Sequence, residues 1–337
     1  MTGAPDGSRE PLRVLSVMPG KPHGNNMIFV RDMGPAFRRD GVDVIEFYVS
    51  SRTNPLVIIR ELVRLRSTVV RECPVLLHAQ YGGVTAMLVA MAAGHHPMVL
   101  SIRGSDLNLL GSVGFLRNRL TRLMTRLAAL RSDAVICVST QLRSQLWGSA
   151  AKAYIIPSGV DMEVFHPTAQ GDARRSLGID EATRLVLFNA GNAPELKGLG
   201  FVERAMNLVC AGMPTAKLHI LRGSTGQSEV ATLMNAADCL VLASEAEGSP
   251  NVVKEAMACN LPVVATAVGD VATRLDGVSP GVIVPRTVEG LANGILDVLK
   301  TGGRSNGRQI LHDQRLSRDQ VVERVIGIYR QILDAAH

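Results

Sequence analysis

The sequence predicts an α/β protein of two doubly wound parallel sheets facing each other across a cleft. Three observations carry that prediction. Apolar runs of four to seven residues alternate with longer amphipathic stretches along the whole chain, the signature of β-α units that build parallel sheets. The length of 337 residues suits two domains of about 150 residues each. Between them, Ile155-Ile156-Pro157-Ser158-Gly159-Val160-Asp161 ends an apolar run in turn residues, and Phe165-His166-Pro167 leads into polar sequence.

Taken in order, strands are expected at Leu12–Met18, Val42–Tyr48, Val75–Ala79, Met98–Ile102, Ala134–Val138 and Ala153–Ile156, then at Leu185–Asn189, Leu218–Leu221, Cys239–Ala243, Pro262–Thr266 and Gly281–Val284. Helical patterns fill the intervals, notably Phe29–Arg39, Pro55–Glu72, Phe115–Arg131, Gln141–Gly148, Leu199–Ala211, Ser228–Ala236, Asn251–Cys259, Glu289–Lys300 and Arg318–Ala335. Eleven strands are many for one open sheet. The expected division is a flexible leader over 1–11, an N-terminal domain over 12–160, a linker over 157–170 and a C-terminal domain over 171–317. A last helix over 318–337 is expected to pack back on the first domain.

Composition excludes several classes. With 46% hydrophobic and 20% charged residues the chain is neither disordered nor a polyelectrolyte. The five cysteines form no CxxC pair and no zinc-ligand spacing, which reads as free thiols, mostly buried, in a reducing compartment. No charged residue occurs from Cys73 to Ile102, yet Gly82-Gly83 and His95-His96-Pro97 divide that stretch into pieces too short for the ~20 apolar residues of a membrane span. His78 reads as a satisfied structural histidine. The net charge of +6 is lopsided: residues 1–167 hold 19 Lys and Arg against 12 Asp and Glu, and residues 168–337 hold 17 against 18. Scarce aromatics leave few platforms for stacking nucleic-acid bases.

The most specific segment is Glu247-Gly248-Ser249-Pro250-Asn251-Val252-Val253-Lys254-Glu255-Ala256-Met257. A strand runs into a short loop, and Ser249-Pro250 reads as a helix cap followed by proline at the first helical position. Free N–H groups and the positive dipole end of such a helix suit a diphosphate, and Gly248 lets backbone approach a ligand. Two carboxylates eight positions apart suit hydroxyls on different parts of one ligand. Taken alone, the segment is equally an ordinary capped helix with acidic residues near its start.

The segment EGSPNVVKEAMACNLPVVATAVGDV resembles the E-x7-E region of retaining GT-B glycosyltransferases of the family 4 type. Other stretches follow in the same order. Pro19–Asn26, with Gly24 and Asn25, resembles the glycine-containing loop after the first strand. Ser101–Leu107, with Arg103 and Asp106, resembles the HGxDL-like element, and Ile156–Asp161 the interdomain turn. Gly191 to Gly198 resembles the phosphate loop, and Asn235-Ala236-Ala237-Asp238 the lead-in to the next strand.

The resemblance implies a GT-B fold and a retaining, metal-independent transfer of sugar from a nucleotide-sugar to a surface-glycan, glycolipid or lipid-linked acceptor. It implies no cofactor and no metal; the chain has no D-x-D motif. Glu247 and Lys197 would be catalytic. The donor would be held by Asn192, Lys197, Glu247, Gly248, Ser249, Pro250, Asn251, Val252 and Glu255, with Glu255 on the ribose hydroxyls and Lys197 on the leaving diphosphate. Gly24, Asn25, Arg103 and Asp106 would face the acceptor. Three departures stand out: Asn192 replaces the usual arginine, Arg103 replaces the usual histidine, and the helix and strand many members carry after Leu221-Arg222-Gly223 are missing.

The basic first half, with arginines at 117, 119, 122, 126 and 131 around an apolar stripe, suits either an anionic membrane surface or a solvated helix face. A cytoplasmic enzyme, peripheral on the cytoplasmic face of the membrane, is the expectation. Two other readings remain open at this point. A nucleotide-sugar epimerase would release no free nucleotide in productive turnover, and a degenerate donor-binding partner of another transferase would turn over nothing.

Overall fold

The computed structural model describes residues 11–22, 27–108 and 114–335. Among the described residues the strands are β1 (Leu12–Pro19), β2 (Val42–Val49), β3 (Leu76–Ala79), β4 (Met98–Ile102), β5 (Ala134–Cys137), β6 (Ala153–Ile155), β7 (Arg184–Gly191), β8 (Ala216–Arg222), β9 (Cys239–Leu242), β10 (Val263–Thr266) and β11 (Val282–Val284). They form two parallel sheets with strand orders β2-β1-β3-β4-β5-β6 and β11-β10-β9-β7-β8. In each sheet the order reverses beside the first strand, between β1 and β3 and between β7 and β9. Helices leave opposite sides of the sheet there, so a crevice opens at the strand C-termini. Strands β3, β4, β5, β9 and β10 are buried at every position. This is why they appear in the sequence as unbroken apolar runs rather than as alternation.

The helical expectations hold with two local differences. The stretch expected as one helix over Phe29–Arg39 is two, Ile28–Arg31 and Gly34–Arg39, with Pro35 in the first turn of the second. Proline offers no N–H and clashes with the preceding turn, so it starts the second helix instead of continuing the first. The expected Gln141–Gly148 helix is a single turn at Thr140–Ser144, capped by Ser139, followed by a 3-10 segment at Gly148–Lys152. Of the thiols, Cys137, Cys239 and Cys259 are buried and Cys73 and Cys210 exposed; all five are free.

The chain crosses between the two sheets twice, at neighbouring places. Val160 bridges Ser317, and a Cβ on Gly159 would lie 2.8 Å from the Arg318 Cα. The helix Arg318–Ala335 then lies against the first sheet's side of the molecule. Tyr329 stacks on Phe37 with ring centroids 6.1 Å apart and hydrogen-bonds His78 Nδ1 at 2.6 Å. Arg324 donates to the Ile155 carbonyl at 2.7 Å. Through this helix, one apolar core runs from Val14 and Met18 to Leu240 and Val263.

A buried ion pair braces the second sheet. Arg174 donates to Asp238 at 2.7 Å and to the carbonyls of Ala236 and Glu181, while Asp238 also accepts from the Leu185 N–H. The two side chains are 6% and 12% exposed. Removing Arg174 leaves Asp238 with only the longer contact to the half-exposed Arg184, at 3.6 Å, so Arg174→Met is expected to lower urea-unfolding stability by about 3 kcal/mol.

Candidate active site

The cleft residues come from the C-terminal ends of both sheets. A cavity of about 340 Å³ is lined from the first sheet by Phe29, Tyr81, Arg103 and Ser158, and from the second by Asn189, Lys197, Glu247 and Ser249 to Val252. At its second-sheet wall, β9 ends at Leu242 and a loop leads to the helix Asn251–Ala258. The helix begins one residue later than Ser249-Pro250 suggests. Pro250 itself occupies the cap position, in extended conformation at φ −67°, ψ 121°, and no side chain caps the helix. The first-turn N–H groups therefore lack an intrahelical or capping partner and sit on the cavity wall.

Two glycine positions set the geometry. Gly198 has φ +82°, and a Cβ there would lie 2.6 Å from the Ala243 carbonyl oxygen. Only glycine lets the turn after Lys197 close onto the end of β9. That closure carries Lys197 Nζ to within 2.5 Å of Glu247 Oε1, which also accepts from Ser244 Oγ at 2.8 Å. Gly248 lies between the lobes: a Cβ on it would stand 2.4 Å from the Arg103 carbonyl oxygen and 2.9 Å from Val138 Cγ2. Asn108 Nδ2 adds a bond across the same junction, to the Glu247 carbonyl at 3.1 Å.

Glu255 follows on the same helix, partly buried. Burial pushes its carboxyl up to about 7, with the charge of Asp32 adding to the rise and that of Lys254 opposing it. Lys254 is fully buried and donates to the Ser158 carbonyl at 2.7 Å, tying this helix to the interdomain turn. Burial lowers its ammonium to about 8. His78 has a structural place: Nε2 meets Ser101 Oγ at 2.8 Å, and Gln80 Nε2, which can only donate, lies 3.2 Å from Nδ1. That geometry puts the ring proton on Nε2. Burial takes the imidazole down to about 3, with the Arg103 charge acting in the same direction.

Of the residues singled out from the sequence, Lys197, Glu247, Ser249, Pro250, Asn251, Val252 and Arg103 come together on the cavity. Asn192, Gly248 and Glu255 do not line it; the Asn192 side chain lies over Gly223, where a Cβ would stand 2.0 Å from its Oδ1. Asp106 is fully buried and faces backbone, accepting from the N–H groups of Gly82, Arg103 and Gly104. Its carboxylate holds the loop that carries Arg103, which is a supporting rather than an acceptor-facing position. Arg222 is exposed at the end of β8. Gly24 and Asn25 lie outside the described residues. Phe29, Tyr81, Ser158 and Asn189 were not singled out from the sequence. Phe29 stands at a helix start, Tyr81 just past β3, Ser158 in the turn after β6 and Asn189 near the end of β7; the Gly82-Gly83 break and the interdomain turn were the local signals beside them.

The family model Glycosyltransferase Family 4 matches residues 20–164, and the model Glycosyl transferases group 1 matches residues 203–301. Among curated proteins, a D-inositol 3-phosphate glycosyltransferase of Mycolicibacterium gilvum is 27% identical over 91% of this chain and 86% of its own length. The Mycobacterium leprae protein of the same name is 28% identical over 54% of this chain and 50% of its own. The chain spans between half and three-fifths of the length of the first curated relatives it matches. Among solved structures, a sucrose-phosphate synthase of Thermosynechococcus elongatus superposes with a TM-score of 0.79 at 19% identity, covering 96% of this chain and 100% of that one. HepE of Anabaena, in complex with UDP and glucose, superposes at 0.72 and 17% identity, covering 95% and 100%. Two Rossmann-like lobes meeting at a cleft, the E-x7-E helix on its wall and both family matches together place this chain in the family 4 class of GT-B glycosyltransferases.

Proposed function

We propose that the chain is a retaining, metal-independent glycosyltransferase that moves a sugar from a nucleotide-sugar to a surface-glycan, glycolipid or lipid-linked acceptor. The observation that carries this reading is the convergence of Lys197, Glu247 and an uncapped helix start on one cavity at the switch points of both sheets. In the reaction the bond between the sugar C1 and the diphosphate oxygen breaks and its electron pair leaves with the diphosphate. The acceptor oxygen bonds to C1 from the same face, and its proton passes to the departing oxygen. Lys197 and the helix N–H groups oppose the growing negative charge from fixed positions. In this reading the charge is met by cationic side chains and backbone N–H groups.

Glu247 would accept hydroxyls of the transferred sugar and Glu255 those of the nucleotide ribose. The second role predicts a pH dependence. Ribose hydroxyls donate to the ionised carboxylate, whereas the isolated carboxyl titrates near 7. Binding therefore favours the form that gains population as pH rises. Affinity for a nucleotide-sugar, whose diphosphate stays ionised throughout, is expected to rise about tenfold between about pH 6 and about pH 8. Calorimetry should show proton release at neutral pH, and Glu255→Gln should abolish both the rise and the release.

The first lobe supports a lipid-linked acceptor. A cavity of about 630 Å³ is lined by Arg52, Tyr81, Phe115, Leu116, Arg117 and Leu120, and Tyr81 lines the central cavity as well. Phe115 and Leu116 are 68% and 79% exposed. An apolar groove with two arginines suits a hydrocarbon chain bearing a phosphate, and the surrounding positive charge suits an anionic bilayer at roughly 1 kcal/mol per basic residue near the surface. Among the described residues no helix is long and apolar enough to cross a membrane. The proposed location, peripheral on the cytoplasmic face, rests on the groove and the positive charge around it. The variant carrying Phe115→Ser and Leu120→Ser should raise KM for a lipid-linked acceptor about tenfold, an estimate from the lost apolar burial, and leave a water-soluble acceptor unaffected.

The decisive experiment is nucleotide release across UDP-, GDP- and ADP-sugars with lipid-linked and water-soluble acceptors. Acceptor-dependent release, with sugar appearing on the acceptor, is the expected result. Donor binding without release in any combination would instead fit a binding partner.

A further inference from the structure

We propose that Arg103 is a catalytic residue that binds the departing diphosphate from the opposite wall of the cleft. The inference rests on the donor reading above and adds a residue from the first lobe to it. A guanidinium has five N–H donors and no acceptor. In Arg103, Nε meets the Gln80 carbonyl at 3.4 Å, Nη2 meets Gln80 Oε1 at 2.7 Å and Nη1 meets Ser158 Oγ at 3.1 Å. That leaves one N–H on each terminal nitrogen, a pair suited to two oxygens of one phosphate. The Phe29 ring lies under the guanidinium, 5.2 Å from its central carbon, so the group is held in place on three sides.

All of those partners are neutral. Asp106, whose charge favours the cation, turns its oxygens to the backbone N–H groups of Gly82, Arg103 and Gly104. Among the described residues no carboxylate stands within ion-pair distance of Arg103. A cation enclosed in protein without a counter-charge is costly, and an anionic ligand in the adjoining cavity removes that cost.

Position decides which anion. Among the described residues that line the central cavity, Arg103 and Lys197 are the two Lys or Arg. Lys197 shares its charge with Glu247 at 2.5 Å. The Arg103 carbonyl packs on Gly248, two residues before the cap of the Asn251–Ala258 helix, so this guanidinium and the helix start frame the same space. When the C1–O bond breaks, the electron pair goes to the diphosphate oxygen. Arg103 then donates two hydrogen bonds to phosphate oxygens and transfers no proton. Because it belongs to the first lobe, it reaches the diphosphate only while Gly104 and Gly248 are in contact, which couples leaving-group stabilisation to closure of the cleft.

The test is calorimetric binding of UDP, GDP and ADP, each beside its nucleoside, to the full chain and to Arg103→Gln and Arg103→Lys. For the diphosphate that the unaltered chain binds, Arg103→Gln is expected to weaken affinity about 10-fold to 100-fold, with nucleoside affinity unchanged and the urea midpoint retained. Arg103→Lys should weaken it less, since it keeps the charge and loses only the fork. In turnover, Arg103→Gln should lower kcat about 100-fold or more. Equal diphosphate affinity in Arg103→Gln and the unaltered chain overturns the inference. A loss confined to phosphate-bearing acceptors would accompany that result if the anion belongs to the acceptor. If the unaltered chain binds none of the diphosphates, the donor reading itself fails.

Discussion

Lys197→Met is expected to lower kcat for sugar transfer by about 10³-fold, and Glu247→Gln by about 10²-fold, while neither changes the fold. The pair is local: Glu247 Oε1 accepts from Lys197 at 2.5 Å and from Ser244 at 2.8 Å, on a loop outside both sheets. The side chains are 32% and 13% exposed. Taking away the lysine acts twice in the same direction. The departing diphosphate loses a cation, and the Glu247 carboxylate, no longer matched, adds a negative charge beside it. Taking away the Glu247 charge removes a sugar contact but frees Lys197 for the diphosphate. The double variant should therefore be no slower than Lys197→Met alone. Strict multiplication of the two losses would show that the pair does not act as a unit. Single variants within about threefold of the unaltered rate, well below the usual loss for such groups, would remove both residues from the chemistry.

Gly248→Ala is the second large effect, and it acts without touching a charge. The added Cβ would stand 2.4 Å from the Arg103 carbonyl oxygen and 2.9 Å from Val138 Cγ2. The first of these is backbone and cannot rotate away. Gly104, at φ +137°, and Gly269, at φ +59°, approach the same loop, so the loop is hemmed in by backbone on more than one side. Relief comes most easily by moving the lobes apart. Besides the core that the lobes share, each keeps one of its own, around Leu77 and Leu100 in the first and Phe188 and Val202 in the second, so the urea midpoint should shift little. Transfer should fall by about 100-fold, because a misplacement of about 1 Å between reacting groups is enough for that. Nucleoside affinity should stay, since Glu255 and the helix that carries it lie within one lobe. A normal rate in Gly248→Ala would mean that the contact between lobes is not part of the working geometry.

Much of this architecture was legible in the sequence for a simple reason. Strands buried on both faces, such as β4 and β9, leave unbroken apolar runs, and Gly and Pro punctuate them. The E-x7-E segment was legible because a loop, a helix start and two carboxylates are all local features. What was not legible depends on distant contacts. Asn192 follows the phosphate-loop spacing, yet its direction is set by the bare backbone of Gly223 on another strand. Ser249 has the chemistry of a helix cap, but the chain turns helical one residue too late for it. Asp106 appears as a free acid next to a candidate ligand residue, whereas three backbone N–H groups occupy it. The neutral setting of Arg103 comes from Gln80 and Ser158, 23 and 55 positions away in the chain.

The placement of the helix Arg318–Ala335 bears on how the protein is made. Tyr329 closes over Phe37 and His78, so the face of the first sheet that carries them stays uncovered until residues near 329 have been synthesised. Chains grow at about 5–20 residues per second and domains usually fold as they emerge, N-terminal first. Here the order is partly inverted. The second sheet has all its strands by Val284 and can consolidate while the first still waits for its last packing element. The newborn chain thus carries an open apolar surface for most of its synthesis, and chaperone dependence should track the arrival of that final helix.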